Sequence, residues 1–358
     1  MRQLYLIGFL FIQSYSFAQT VEFVSPTHPY IQYEGRMSHS DTSAALYWPG
    51  SSICIDFEGS NIQVLLKDEK GGNSFNVIVD QNKAYKLQLD PSKQYYTLAT
   101  HLAKGKHSVE LFKRTEAIWG STLFYGFKIE GAGTLFKPAE KKLKMEFFGN
   151  SITCGYANED SVADRGDAAF ENNYLSYSSL TARHYHAQNQ NTAVSGIGIM
   201  LSWFPFTMPE AYDRLNPYDT NSKWNFSAYT PNIVVINLFQ NDSWLVQMPA
   251  HKEFKRVFGS QAPDTAFIIN AYTNFVQSIR AKYPAASIIC ALGAMDATKN
   301  GSPWPGYIVQ AVAQMKDEKI YTYFFPYKGT KGHPRVSDQE EMANQLIHFI
   351  DTHIQLPK

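Results

Sequence analysis

Residues 232–242 read NIVVINLFQND. The run from Ile233 to Leu238 is almost continuously apolar and rich in β-branched side chains. That pattern fits a strand buried on both faces, as in a parallel sheet covered by helices, rather than a strand with one wet face. Polar Asn241 and Asp242 follow at once, so they fall beyond the carboxyl end of the strand, where open α/β sheets gather their chemistry. Met145–Phe148 repeats the motif as a shorter apolar strand ending in Gly149, and Ser287–Leu292 and Ile320–Phe325 repeat it again. Helical periods fill the intervals: Tyr174–His186, then Asp264–Tyr283 with Phe267, Ala271, Phe275 and Ile279 at four-residue spacing, then Ser337–Thr352. Alternating strands and helices predict an α/β/α domain with a mostly parallel sheet over residues 145–358.

Upstream the period changes to two. Ile53, Ile55 and Phe57 alternate with polar neighbours, as do Ile62, Val64 and Leu66, then Phe75, Val77 and Val79, then Tyr85, Leu87 and Leu89, and finally Leu123, Tyr125, Phe127 and Ile129. Turn-forming sequences separate them, among them Gly59-Ser60-Asn61 and Gly71-Gly72-Asn73. Residues 20–130 are therefore expected to form an all-β antiparallel sandwich with no helix of useful length. Residues 131–144, with Pro138 and four lysines, read as an exposed linker. Residues 1–18, MRQLYLIGFLFIQSYSFA, carry a charged start, an apolar run from Leu4 to Ile12 and small residues at Ser16 and Ala18. They read as a secretory signal peptide, which implies export to the periplasm or the medium.

Composition agrees with two globular domains in 358 residues: 44% hydrophobic, 18% charged, with 32 basic and 32 acidic side chains. Zero net charge with no basic run argues against a nucleic-acid partner. No second run of about 18 apolar residues is present, so no membrane span is expected. Cys54, Cys154 and Cys290 are too few for a disulfide scaffold and lack zinc-site spacing; they fit either buried inert thiols or one bridged pair. Aromatic residues make up 15% of the chain. They serve a β-rich core, and rings also stack on the apolar faces of sugars.

Four short segments fall where a site would sit. Ser151 follows the Met145–Phe148 strand, with Gly149 permitting a tight turn. Ser195-Gly196-Ile197-Gly198 is a loop in which backbone N–H groups can approach a ligand. Asn241 carries an amide able to donate to a developing oxyanion. His333 lies in Gly332-His333-Pro334, just before the last helix. Each alone fits an ordinary turn equally well; their order and placement carry the weight.

Strand–GNSIT, SGIG, NLFQND and GHP in this order resemble the SGNH, or GDSL-type, hydrolase superfamily. Its four signature residues fall on Ser151, Gly196, Asn241 and His333. SITCGYANED, SGIGI, Tyr212 after Pro209-Glu210, and IRAKYPAASIICALG extend the resemblance to family 2 carbohydrate esterases. So do YWPGSSICIDFEGSNI, HLAKGKHSVELFKRTEA and GSTLFYGFKIEGAG in the N-terminal half. The resemblance implies a jelly-roll sandwich followed by an SGNH-hydrolase domain. It implies removal of O-acetyl groups from plant-type polysaccharides such as xylan or glucomannan. Ser151 would be the nucleophile and His333 the base, with Ser151, Gly196 and Asn241 as the oxyanion hole and no metal or organic cofactor.

Three departures qualify it. Phe239 stands where the superfamily usually has Gly, and Asn150 where many relatives have Asp. Lys331 and Thr330 stand where many relatives carry an acid before the histidine. Asp338 starts a helix that points it elsewhere, so a backbone carbonyl orienting His333 in a Ser-His dyad is the expectation, beside a full triad. Trp203, Trp244, Trp304 and Phe239 are candidate sugar-binding aromatics, each also suited to a core. Two other functions stay open: a carbohydrate-binding protein with a weakened or lost site, and an esterase for other small O-acetyl substrates such as sialate or peptidoglycan.

Overall fold

A computed structural model of the chain describes residues 21–131 and 133–356. The segment 1–18, read as a signal peptide, lies outside the described residues.

The N-terminal half is a sandwich of two six-stranded antiparallel sheets. The first runs, in spatial order, Met37–His39, Ala44–Leu46, Thr122–Glu130, Asn61–Asp68 and Gln94–Ala99, with Val21–Val24 also pairing with Thr122–Glu130. The second runs Leu135–Phe136, Ser52–Glu58, Lys106–Lys113, Ser74–Val79 and Tyr85–Gln88, with Gln32–Glu34 against Ser52–Glu58. The two-residue alternation puts Ile53, Ile55, Ile62, Val64, Leu66 and Val77 between the sheets, all fully buried. Each such side chain contributes about 1.5–3 kcal/mol by leaving water. The only helical turn in this half, among the described residues, is the three-residue Ala117–Trp119. The segment read as a linker is partly tied down: Leu135–Phe136 pairs with Ser52–Glu58, and Lys141 reaches Glu34 at 2.7 Å.

The C-terminal half is a five-stranded, wholly parallel sheet in the order Gln188–Ala193, Lys144–Gly149, Ile233–Asn237, Ser287–Leu292, Ile320–Phe324. Alternate residues face opposite layers. Phe148, Val234 and Ile236 pack with helices Thr265–Lys282 and Trp304–Met315. Met145, Phe147 and Val235 pack with helices Tyr177–His184 and Val336–His353. The second strand in sequence lies outside the first and the third lies on its other side. The chain therefore reverses direction at Lys144–Gly149, and the crevice of such a sheet opens there, beyond the strand ends.

One strand has no apolar signature. Gln188–Ala193 (QNQNTA) is a buried polar strand facing the sandwich. Gln190 and Thr192 donate to Glu146, and Asn191 donates to Asn173. The side-chain amide and hydroxyl donors of Gln190, Asn191 and Thr192 are thus partnered although the strand is buried. Trp304 begins a helix instead of sitting in a loop. Where the halves meet, Arg36 of the sandwich reaches Glu146 on strand Lys144–Gly149 at 2.7 Å, both fully buried. The Arg36 guanidinium also donates to the Tyr212 and Arg214 carbonyls. Tyr283 closes the other side of the Glu146 carboxylate at 2.6 Å. These added hydrogen bonds offset part of the cost of burying the pair. All three cysteines are free. Among the described residues no helix is long and apolar enough to cross a membrane.

Candidate active site

Ser151 opens the four-residue helix Ser151–Cys154 just after strand Lys144–Gly149. The Asn150 side chain caps it by accepting from the Ile152 N–H at 3.0 Å, so Asn does here what an Asp would do. Gly149 is required: a Cβ there would stand 2.0 Å from Thr153 Oγ1. From the far side, Gln339 in the last helix donates to the Ile152 carbonyl and accepts from the Tyr177 N–H. These bonds present the Ser151 hydroxyl at the sheet edge with only 8% of the residue exposed.

His333 Nε2 lies 2.8 Å from Ser151 Oγ. The other ring nitrogen, Nδ1, lies 2.8 Å from Asp164 Oδ2. The hydrogen bond from His333, with the Arg335 guanidinium nearby, holds the Asp164 carboxyl down at about 2. An ionised carboxylate only accepts, so the Nδ1 nitrogen carries the hydrogen and Nε2 is left to accept from the serine hydroxyl. The expectation that no acid orients His333 is therefore corrected. The acid comes from a loop far upstream rather than from the residues just before the histidine. Asp338, as expected, points elsewhere: it accepts from the Arg335 N–H at the start of its helix.

Asp164 sits in an exposed stretch, and its placement is built locally. The Asp160 side chain, fully buried, accepts from the N–H groups of Val162, Ala163 and Arg165 and from the Arg165 side chain at 2.9 and 3.0 Å. The Arg165 guanidinium covers the Phe170 ring at 4.1 Å. The Asp164 carboxylate also receives the His333 backbone N–H at 2.8 Å and the Arg335 side chain at 2.9 Å. The sequence does hold a trace of this loop: NEDSVADRGD, residues 158–167, puts four acids in ten positions with turn-forming spacing. Nothing in that spacing says which acid meets His333.

The other two segments meet across the strand ends. Gly196 has φ +85°, a left-handed conformation that favours glycine. Asn241 donates one amide hydrogen to the Ile197 carbonyl at 2.8 Å, and its Oδ1 accepts from the Trp203 indole N–H at 3.0 Å. A carbonyl only accepts and an indole only donates, so the amide can face one way only. Its second amide hydrogen has no partner among the described residues. Asp242, wholly buried, accepts from the Ile199, Met200 and Leu201 N–H groups and so fixes the loop after Gly196. Burial pushes its carboxyl up to about 6 against those hydrogen bonds. Gly198 leaves room for this, since a Cβ there would stand 2.5 Å from an Asp242 oxygen.

The four candidate aromatics divide. Trp203 is 39% exposed and edges the His251 ring. Trp244 is half-buried and donates to Asp296; with Met295, Tyr327, Lys331 and Gly332 these two line a hollow of about 210 Å³ beside His333. Phe239 and Trp304, by contrast, are 0% and 5% exposed and pack on each other and on Tyr272, so the expectation that they face a sugar is corrected. Phe239 has φ +84°, which explains why a glycine suits this position; the ring instead fills the core. Among the described residues no group of three His, Cys, Asp or Glu is placed to hold a metal ion.

A nucleophile hydrogen-bonded to a base, a base hydrogen-bonded to a carboxylate, and amide donors on the facing loops are the parts of an acyl-transfer site. Comparison with known proteins agrees. Residues 33–138 match the family model for the carbohydrate esterase 2 N-terminal domain, and residues 147–349 match the GDSL-like lipase/acylhydrolase family. The chain is 32% identical over 333 residues to the cellulase/esterase CelE of Acetivibrio thermocellus, covering 89% of this chain but only 39% of that protein's length. It is 25% identical over 358 residues to an acetylxylan esterase / glucomannan deacetylase of Cellvibrio japonicus, covering 96% of this chain and 95% of that one. Among solved structures, it matches a family two carbohydrate esterase from Clostridium thermocellum in complex with cellohexaose. There the TM-score is 0.79 and the identity 32%, over 90% of this chain and 98% of that chain. The fold also matches a family two carbohydrate esterase from Cellvibrio japonicus, with TM-score 0.83, 23% identity, and coverage of 94% and 98%.

Proposed function

The chain belongs to the family 2 carbohydrate esterases, and from that premise we propose that it is exported and removes O-acetyl groups from plant-type polysaccharides such as xylan or glucomannan by serine acyl transfer. The observation that carries the mechanism is the 2.8 Å contact between Ser151 Oγ and His333 Nε2 at the mouth of the sheet.

In this reading Ser151 Oγ attacks the acetyl carbonyl while His333 Nε2 takes its proton. Asp164 holds the imidazole in the required tautomer and stabilises the imidazolium that forms. The tetrahedral oxyanion accepts from the Ser151 and Gly196 N–H groups and the free Asn241 amide hydrogen. Removing one such donor typically lowers kcat by roughly 10²–10³-fold. His333 returns the proton to the leaving sugar hydroxyl, and a water activated by the same histidine then releases acetate. Trp203, against Asn241, and Trp244, in the hollow beside His333, would carry the sugar rings. The names of the relatives in Cellvibrio japonicus supply the substrate class. Export rests on the leader-like residues 1–18.

Two features count for the alternative of a binding protein with a lost site, the missing acid and Phe239. An acid does face His333, and Phe239 is a core residue, so neither feature counts for that alternative. The test is acetate release from acetylated xylan and glucomannan by the parent chain and by Ser151→Ala. Release by the parent and none by the variant is expected; equal release by both would overturn the serine mechanism.

A further inference from the structure

One buried carboxylate takes no part in this mechanism and yet touches its edge. Glu116 belongs to the sandwich, in the turn after strand Lys106–Lys113, and is 1% exposed. Its Oε2 accepts the backbone N–H of Ser195 at 2.7 Å, across the boundary between the two halves. Ser195 is the residue immediately before Gly196. On the other side of Gly196, its carbonyl accepts the Trp203 backbone N–H at 3.0 Å. The two contacts bracket the peptide that carries the Gly196 N–H, in a residue whose left-handed backbone leaves it few other restraints.

Glu116 is itself held. Its backbone N–H donates to Glu171 Oε1, and the Trp119 indole donates to Glu171 Oε2 at 2.8 Å. The Lys113 ammonium, fully buried, donates to the Thr115 carbonyl at 2.6 Å beneath them. Next to this cluster, Asn173 accepts no such charge but ties its N–H to the Arg114 carbonyl and its amide to the Thr153 carbonyl in the Ser151 helix. Burial raises both glutamates; the Ser195 hydrogen bonds and the Lys113 charge pull Glu116 back. Burying a charge is costly unless it is paired and hydrogen-bonded, and a carboxylate binds an N–H more firmly than a neutral acceptor does.

We propose that Glu116 is a positioning residue for ester hydrolysis: the sandwich domain, through this carboxylate, aims the Gly196 N–H at the oxyanion, so that the esterase site is complete only with the N-terminal half in place. The inference rests on reading Gly196 as an oxyanion donor to a Ser151 acyl enzyme.

The test uses the full chain and three variants: Glu116→Gln, Glu116→Ala and Glu116→Met. The last, close in volume to Glu, serves if the alanine variant does not fold. The readouts are kcat, KM on an acetylated oligosaccharide, and Ki for a small alkylboronic acid, whose tetrahedral adduct on serine occupies the oxyanion hole. Glu116→Ala or Glu116→Met is expected to lower kcat by about 10–10²-fold, leave KM within about twofold, and raise the boronate Ki by a factor similar to the loss in kcat. Glu116→Gln, which keeps an acceptor oxygen, is expected to recover most of the rate. Parent-like kcat in Glu116→Met, or a fall in kcat with unchanged boronate Ki, overturns the proposal. Full activity of Ser151→Ala would instead overturn the serine reading beneath it, so the two failures are distinguishable.

Discussion

The Asp164 carboxylate lies 2.8 Å from His333 Nδ1 although 169 positions separate the two residues. The acid is delivered by an exposed loop, while the histidine enters from the turn before the last helix. Asp164→Ala is expected to lower kcat by roughly 10²–10⁴-fold with little change in KM, because substrate contacts are untouched while tautomer and imidazolium support are lost. Steady-state kinetics on a soluble acetyl ester check it. Parent-like kcat would show that another group holds the imidazole.

The same contact sets a pH dependence. The Asp164 carboxyl is depressed to about 2, so its stabilising contribution is present above its unfolded value near 4 and is lost as pH falls toward 2. The parent should therefore lose stability between about pH 4 and pH 2 more steeply than Asp164→Asn, which lacks that carboxyl. Urea unfolding of both proteins across that range decides it; parallel losses refute the coupling.

Asp160 and Arg165 form the knot that presents Asp164. Arg165→Met should lower kcat by no more than Asp164→Ala does. The double variant should be no worse than Asp164→Ala alone, since both act through one carboxylate. Additive losses would mean that Arg165 acts independently, for instance on the substrate.

The Trp203 indole pins the Asn241 amide. Trp203→Phe keeps an aromatic ring but removes the N–H together with part of the indole. Losing a hydrogen bond worth about 1–1.5 kcal/mol predicts about a tenfold lower kcat. If KM alone rises, the ring matters as a platform and the indole N–H does not.

Phe239 combines a left-handed backbone with a fully buried ring. Phe239→Ala should destabilise the fold by about 3–5 kcal/mol through the cavity it leaves. Phe239→Gly leaves a similar cavity but relieves about 1–2 kcal/mol of backbone strain, so it should be the more stable of the two. Urea unfolding of the three proteins tests the order. A higher KM with unchanged stability would place the ring on the substrate instead.

Local pattern was enough for the sandwich and the parallel sheet. Periods of two and of about 3.6 report which faces must leave water, and that requirement is written residue by residue, as in NIVVINL. It was also enough to put Ser151 and Asn241 beyond strand ends, because a strand's carboxyl end can be read from where its apolar run stops. The pattern failed where burial does not depend on apolarity. QNQNTA, the strand that leads to Gly196, is held by hydrogen bonds from Gln190 and Thr192 to Glu146 and from Asn191 to Asn173. The Gly196 loop and the histidine turn were legible only through the ordered resemblance of the four segments. HSVELFK, in the middle of the second sheet, carries no clean alternation at its end.

The amino-acid sequence by itself determined the two-domain class, through hydrophobic period, and the order of the Ser151, Gly196, Asn241 and His333 segments, through short contiguous motifs. Only the tertiary structure decided which acid meets His333, which aromatics are core, and that Glu116 touches the loop at Gly196. Those are pairings between loops and domains distant in sequence, and a hydrogen bond depends on a distance of about 3 Å in space rather than on any spacing along the chain.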